Sequence, residues 1–242
     1  MAALLTLEKV SKRFGAIVVA DAIDLAVPQG EALGIIGPNG AGKTTLFAMI
    51  AGAVAPNRGR IGFDGRDVTR SPPAERARLG MARSFQIPQP FGAMSVFENL
   101  CVAARLGAGM PQTQSDKVCL DILERCGLAA LANRRAGTLT LLQRKRLELA
   151  RALAGRPKLL LLDEVAGGLT EEECKSLVAL VRDVKASGVT IIWIEHIVHA
   201  LIAVVDRLVV LHGGAIIADG APRQVIESPQ VEEIYMGIPA DA

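Results

Sequence analysis

Apolar residues fall into two rhythms along this chain. Short runs with no charged interruption recur at Ala32-Leu33-Gly34-Ile35-Ile36, Leu159-Leu160-Leu161-Leu162, Thr190-Ile191-Ile192-Trp193-Ile194 and Arg207-Leu208-Val209-Val210-Leu211. Such runs predict strands of a parallel sheet covered on both faces. Elsewhere the apolar positions recur at helical spacing: Thr45 to Ala51, Ser95 to about Arg156, and Thr170 to Ala186, the last forming a crossover between two strands. The N-terminal part reads differently. Leu4 to Val10 and Ile17 to Val27 predict antiparallel strands with Phe14-Gly15 between them. Arg60 to Arg66 predicts a hairpin end turning at Asp64-Gly65. The pattern as a whole is an α/β core interrupted by a helical insert, without internal repeats.

Gly37-Pro38-Asn39-Gly40-Ala41-Gly42-Lys43-Thr44-Thr45 sits between the first apolar run and the first helical stretch. It is a complete G-x-x-x-x-G-K-[ST] phosphate loop in the strand–turn–helix setting such a loop requires. Glycines let the backbone curl until several N–H groups point inward, and the new helix adds free N–H groups at its positive end. Lys43 is placed to reach the β- and γ-phosphates, and the Thr44 hydroxyl to ligate magnesium. A nucleoside triphosphate with Mg²⁺ is the expected ligand.

The run at Leu159 ends in Asp163-Glu164. At the carboxyl edge of a parallel strand, Asp163 can reach the magnesium shell beside Thr44. Side chains alternate along a strand, so Glu164 turns the other way and is free to orient or deprotonate water. His196 follows the next strand, where it can donate to a γ-phosphate and hold Glu164 and the water in place. Gln86 stands where the helical insert begins, able to ligate magnesium and to couple nucleotide to that insert.

Composition narrows the field. A net charge of +2 points neither toward nor away from nucleic acid, and 3% aromatic residues leave little for base stacking. Mean hydropathy is +0.34, yet no apolar run approaches the ~18 residues of a membrane span. Met1 to Thr6 lacks the basic and apolar regions of a signal peptide. Cys101, Cys119, Cys126 and Cys174 show no metal spacing and read as small buried hydrophobes. Arg144-Lys145-Arg146 reads as a solvated helix face with Arg144 and Glu148 at i,i+4 spacing, or alternatively as a field favouring a phosphate or lipid headgroups. Ile87 to Met94 is apolar and loop-like, which suits a docking surface.

Taken together, these motifs resemble the ATP-binding subunits of ABC transporters over essentially the whole chain. The resemblance implies an adenine-stacking aromatic at Phe14, a Walker A loop at Gly37 to Thr45 and a Q-loop at Gln86. It implies a Walker B strand and catalytic glutamate at Leu159 to Glu164, a D-loop at Gly167-Gly168-Leu169-Thr170, and a switch histidine at His196. Three segments resemble the branched-chain amino acid uptake branch: Arg83-Ser84-Phe85-Gln86 with Met94 to Leu100, Ile194-Glu195-His196, and Ala218 to Pro222 with Ile234-Tyr235-Met236-Gly237. The fold expected is a RecA-like P-loop core with an N-terminal antiparallel β sub-domain and an α-helical insert, all in one domain spanning 1–242. Residues 1–85 and 157–242 would form the core and β sub-domain, and 86–156 the helical sub-domain.

The signature loop departs from the family. Its usual form is Leu-Ser-Gly-Gly-Gln, or Leu-Ser-Tyr-Gly-Gln in this branch; here it reads Leu139-Thr140-Leu141-Leu142-Gln143. Thr140 keeps the hydroxyl that meets the other subunit's ATP, while Leu142 replaces a closely approached glycine. Thr140-x-x-Gln143 is a capping-box pattern, so a helix can still start there. Val165 and Ile197 replace a usual proline and aspartate. Two readings stay open: a hydrolysing motor, or a nucleotide-gated subunit that hydrolyses poorly beside a more active partner. The family implies further partners: transmembrane permease subunits, a second ATPase subunit in a homo- or heterodimer, and indirectly an extracytoplasmic solute-binding protein, with the chain peripheral on the cytoplasmic membrane face. With one cassette and no sustained heptads, a nucleic-acid partner is not expected.

Overall fold

The computed structural model describes residues 3–236. Met1 and Ala2 of the N-terminal stretch, Gly237 of the tail motif, and the rest of 237–242 of the expected domain lie outside it.

Strands β1 (Ala3–Phe14) and β2 (Ile17–Pro28) form a long antiparallel hairpin. Buried β3 (Ala32–Ile36) runs into the glycine loop and helix α1 (Lys43–Ile50). Then come β4 (Arg58–Phe63) and the short β5 (Arg66–Asp67). Asp64 and Gly65 both adopt positive φ between them, as a two-residue type I′ hairpin turn demands. Helix α2 (Pro73–Arg78) leads to β6 (Met81–Arg83). The helical part follows: α3 (Val96–Val102), a π-helical turn at Ala103–Gly107, α4 (Gln112–Arg125) and α5 (Leu141–Ala154). Strand β7 (Leu159–Asp163), helix α6 (Glu171–Ala186) and strand β8 (Thr190–Ile194) make the expected crossover. Helix α7 (Val198–Ile202), strands β9 (Arg207–His212) and β10 (Ala215–Gly220), and helices α8 (Pro222–Ile226) and α9 (Pro229–Met236) complete the described chain.

Two sheets result. A four-stranded antiparallel sheet has the order β2-β1-β4-β5, and a six-stranded sheet the order β10-β9-β3-β8-β7-β6. In the second, β9, β3, β8, β7 and β6 are parallel and only β10 runs antiparallel. Alternation sends successive residues of each parallel strand to opposite cores. Leu160, Leu162, Ile191 and Trp193 join the core shared with α5 and α6. Leu159, Leu161, Ile192 and Ile194 join the one shared with α1 and the antiparallel sheet. Burial on both faces is why these strands are continuously apolar. The fold is the α/β P-loop architecture expected from sequence, and no described helix is long and apolar enough to cross a membrane.

All four cysteines are buried free thiols. Burial raises the pKa of Cys119 and of Cys126 to about 12, so both remain protonated.

Candidate nucleotide site at the carboxyl edge of the parallel sheet

The glycine loop closes tightly against its surroundings. A Cβ on Gly42, whose φ is +99°, would stand 2.1 Å from the carbonyl oxygen of Val19; one on Gly37 would stand 2.2 Å from that of Leu211. No side chain fits at either place, so the backbone itself lines the loop. Gly42 caps α1 in a left-handed conformation. Lys43 is buried, its Nζ donating to the carbonyls of Gly37 (2.7 Å) and Pro38 (3.0 Å). Burial lowers its pKa, while the charges of Glu164 and Asp163 act to raise it. Those carboxylates therefore lie within the electrostatic reach of Lys43.

Opposite the loop, β7 ends at buried Asp163, and Glu164 follows with φ +47°. A non-glycine residue in left-handed backbone carries strain that its neighbours must hold. Here the Glu164 amide donates to Ile194 (2.8 Å), and Lys145 Nζ from α5 donates to the Glu164 carbonyl (3.5 Å). The turn aims the side chain at two partners. Gln86 Nε2 donates to Oε2 of Glu164, and His196 Nε2 lies 2.9 Å from its Oε1. The structure thus brings together Glu164, Gln86 and His196. The partly exposed carboxylate is an acceptor-only group fixed by two neighbours, and such a group can orient a water and take its proton.

Glu195 lies behind His196, almost wholly buried. Its Oε2 accepts from the Ala166 amide (3.1 Å) and from Trp193 Nε1 (3.2 Å). Desolvation raises its pKa, opposed by those hydrogen bonds and by Lys145.

Phe14 ends β1 and is half exposed, beside exposed Ile17 and Val18. Lys12 Nζ sits 5.0 Å from its ring centroid. The same β2 strand continues to Val19, which abuts Gly42, so this apolar tip borders the phosphate loop. The Thr44 hydroxyl, the Asp163 carboxylate and the Gln86 amide carbonyl are hard oxygen donors, the set magnesium takes. Together with a loop whose Gly37 and Gly42 admit no side chain and whose Lys43 is held inward, the residues present fit a magnesium–nucleotide complex.

The signature segment starts α5. Thr140 is its N-cap: the Thr140 hydroxyl accepts from the Gln143 amide (3.4 Å), and Gln143 Oε1 accepts from the Thr140 amide (3.0 Å). This is the reciprocal capping box, so the helix begins at Leu141 with its first amides free. Leu139 is buried. Leu141 stays exposed, its Cδ2 reaching the open side of Gly168. Leu142 is partly buried.

The basic run that follows is not a solvated face. Arg144 donates to the Gly137 carbonyl (2.9 Å), Lys145 is buried behind Glu164, and Arg146 donates to Ser176 (2.5 Å). Glu148 is buried and pairs with Arg151 (2.7 Å) rather than Arg144. Residues adjacent in sequence point in different directions around a helix, so a run of charge on one helix need not share one face.

From sequence alone, Arg83, Ser84 and Arg76 carry no assigned role at the site. Arg83 Nη2 bonds Asp163 Oδ2 at 2.7 Å. Ser84 accepts from the Asp163 amide and donates to the Leu161 carbonyl, each at 3.4 Å. Arg76 is buried and donates to the carbonyls of Met49 and Ile50 at the end of α1, both at 2.7 Å. The available signal was charge inside an apolar setting, as with Arg83 closing β6.

The ABC transporter family profile matches residues 20–167. The high-affinity branched-chain amino acid transport ATP-binding protein BraF of Pseudomonas aeruginosa is 36% identical, covering 97% of this chain and 98% of its own. The chain belongs to the ABC transporter family. This ABC cassette is also 34% identical to the lipopolysaccharide export system ATP-binding protein LptB of Acidithiobacillus ferridurans, covering 98% of each. Among solved structures, an ATP-binding cassette of an ABC transporter in its ADP conformation superposes with a TM-score of 0.89 at 33% identity. That likeness covers 98% of this cassette and all of the other. Membership carries ATP binding, generally with Mg²⁺, and ATPase activity coupled to transport.

Proposed function

We propose that this cassette is the hydrolysing subunit of an importer for branched-chain or related amino acids. The observation that carries the reading is the Glu164 carboxylate held between Gln86 and His196, within electrostatic reach of Lys43. Amides of Gly37 to Thr45 and Lys43 would hold the triphosphate, and Phe14 with its apolar neighbours would stack adenine. Thr44, Asp163 and Gln86 would ligate magnesium, which supplies charge neutralisation at the β- and γ-oxygens. Glu164 takes a proton from the attacking water, and His196 steadies Glu164 and donates toward the γ-phosphate.

In the dimer that this reading requires, homo- or heteromeric, the Thr140 end of α5, with Leu139, Leu141, Leu142 and Gln143, would face the other subunit's nucleotide. Residues 86–156 would move as one helical sub-domain against the 1–85 and 157–242 core, with permease subunits docked near Ile87 to Phe97 on the cytoplasmic membrane face. An external solute-binding protein would act through the permease. Ile87 and Phe91 are exposed apolar side chains on this segment, which supports the docking. The poorly hydrolysing alternative rests on Leu141 and Leu142, and the Glu164–Gln86–His196 group weighs against it.

Phosphate release tests the motor. Mg²⁺-dependent turnover that falls about 100-fold or more in Glu164→Gln supports the assignment; wild-type turnover in that variant overturns it. For cargo, the likeness to BraF supports amino acids, and the comparable likeness to LptB favours lipopolysaccharide export as the second reading. Loss of labelled leucine uptake in cells lacking the chain supports the first. Intact leucine uptake with failing lipopolysaccharide delivery supports the second.

A further inference from the structure

The segment Arg83 to Gln86 touches both carboxylates at the end of β7. Gln86 reaches Glu164, and Arg83 reaches Asp163. The second contact is the less obvious. The Asp163 side chain is 7% exposed and that of Arg83 16%, so this ion pair is poorly screened by water. The guanidinium is held in place from two sides. Its carbon lies 5.9 Å from the centroid of Phe47, on the phosphate-loop helix, and 5.4 Å from that of Phe85. A cation over aromatic faces is attracted to them and oriented by them. Yet the fork is only partly used: Nε of Arg83 is buried without a hydrogen-bond partner.

The position of Asp163 gives this pair its consequence. Two carboxylates, Asp163 and Glu164, face a loop built for a polyanion. Until a metal neutralises them, they repel a triphosphate. Gln86 is neutral, His196 touches Glu164 rather than Asp163, and Lys43, though within electrostatic reach of Asp163, donates to the Gly37 and Pro38 carbonyls. Among the described residues, Arg83 is the cation in contact with Asp163.

We propose that Arg83 is a positioning residue that serves as resident counter-cation of Asp163, holding its carboxylate in line and masking its charge before the metal arrives. Nucleotide can then enter the loop without first overcoming a buried anion. The carboxylate that would ligate the metal is held by Arg83, and its backbone by the amide bond to Ser84. The proposal rests on the reading of this site as one for magnesium and ATP.

The test is ATP binding without turnover, by fluorescence anisotropy of a fluorescent ATP analogue, in excess EDTA and in saturating Mg²⁺. In Arg83→Met the apolar stem is kept and the charge removed. Its affinity in EDTA is expected to fall about tenfold or more, while its affinity in Mg²⁺ stays within about threefold of wild type. Arg83→Lys, which keeps the charge without the fork, should recover most of the EDTA affinity. The double variant Arg83→Met/Asp163→Asn should recover it as well, because the unmasked anion is gone. A merely structural Arg83 would lower both affinities alike, and the double variant would not recover; either result overturns the proposal. An unchanged ratio of the two affinities in Arg83→Met overturns it too. Wild-type protein that binds no ATP in Mg²⁺ would sink the nucleotide reading itself, a distinguishable failure.

Discussion

The phosphate loop and the start of α5 both present free backbone amides at a helix N-terminus, but they tolerate side chains differently. At Gly42 and Gly37 a Cβ would collide with a backbone oxygen of the same chain, at 2.1 and 2.2 Å. At α5 the positions that are Gly-Gly, or Tyr-Gly, in the usual signature hold Leu141 and Leu142, and the fold accepts both. Leu141 lies against the open side of Gly168, and the Thr140–Gln143 capping box is intact. The difference is one of what imposes the constraint. In the loop it comes from Val19 and Leu211, inside the subunit. At the signature the close approach would come from the other subunit's nucleotide, so folding alone places no demand on those positions.

Substitutions can break or sharpen that contrast. The largest effect is expected from Gly42→Ala, which combines a steric clash with unfavourable left-handed backbone. It should lose about 3 kcal/mol of stability or more in urea denaturation, and ATP binding with it; an alanine variant of wild-type stability would refute the intrachain constraint. Arg76→Ala should cost about 2–3 kcal/mol in the same assay. It strands the Ile50 carbonyl at the end of the phosphate-loop helix and leaves the Met49 carbonyl with only a backbone amide donor. Thr140→Ala removes the cap on α5 and should cost about 1 kcal/mol. Leu142→Gly should cost no more than about 1 kcal/mol of stability and strengthen ATP-driven pairing; weaker pairing would mean the leucine is itself part of the contact.

The smallest effect concerns Glu195, behind the Glu164 turn. Burial raises its folded pKa above the ordinary 4.5. The folded state then holds that proton more firmly than the unfolded one. Its stabilising contribution is full below the unfolded value and is lost as pH rises through the folded value. Glu195→Gln keeps an oxygen to accept from Ala166 and Trp193 without the charge. Its stability relative to wild type should improve as pH rises above 4.5 in denaturant titrations. A difference that does not change with pH would mean Lys145 already holds Glu195 ionised at no cost.

What the sequence made legible was local. The phosphate loop, the apolar strands and the Thr140–Gln143 cap each lie within a few residues, where spacing and chemistry coincide. The placing of Glu164 and His196 just past strand ends followed from the length of the runs, but the aim of Glu164 comes from its left-handed turn rather than from strand alternation. What stayed hidden depends on contacts distant in sequence. Arg83 meets Asp163 across neighbouring strands, Lys145 reaches Glu164 from another element, and Arg76 caps a helix well before it in the chain. The basic run misled for the same reason: its local pattern said surface, and three separate tertiary partners at Gly137, Glu164 and Ser176 decided otherwise.

The central claim is that the altered signature still clasps nucleotide across a dimer. Light scattering of Glu164→Gln protein with and without Mg-ATP tests it directly, since slowing hydrolysis holds the closed state. A shift from monomer to dimer is expected on adding Mg-ATP. A protein that binds ATP yet remains a monomer would contradict it.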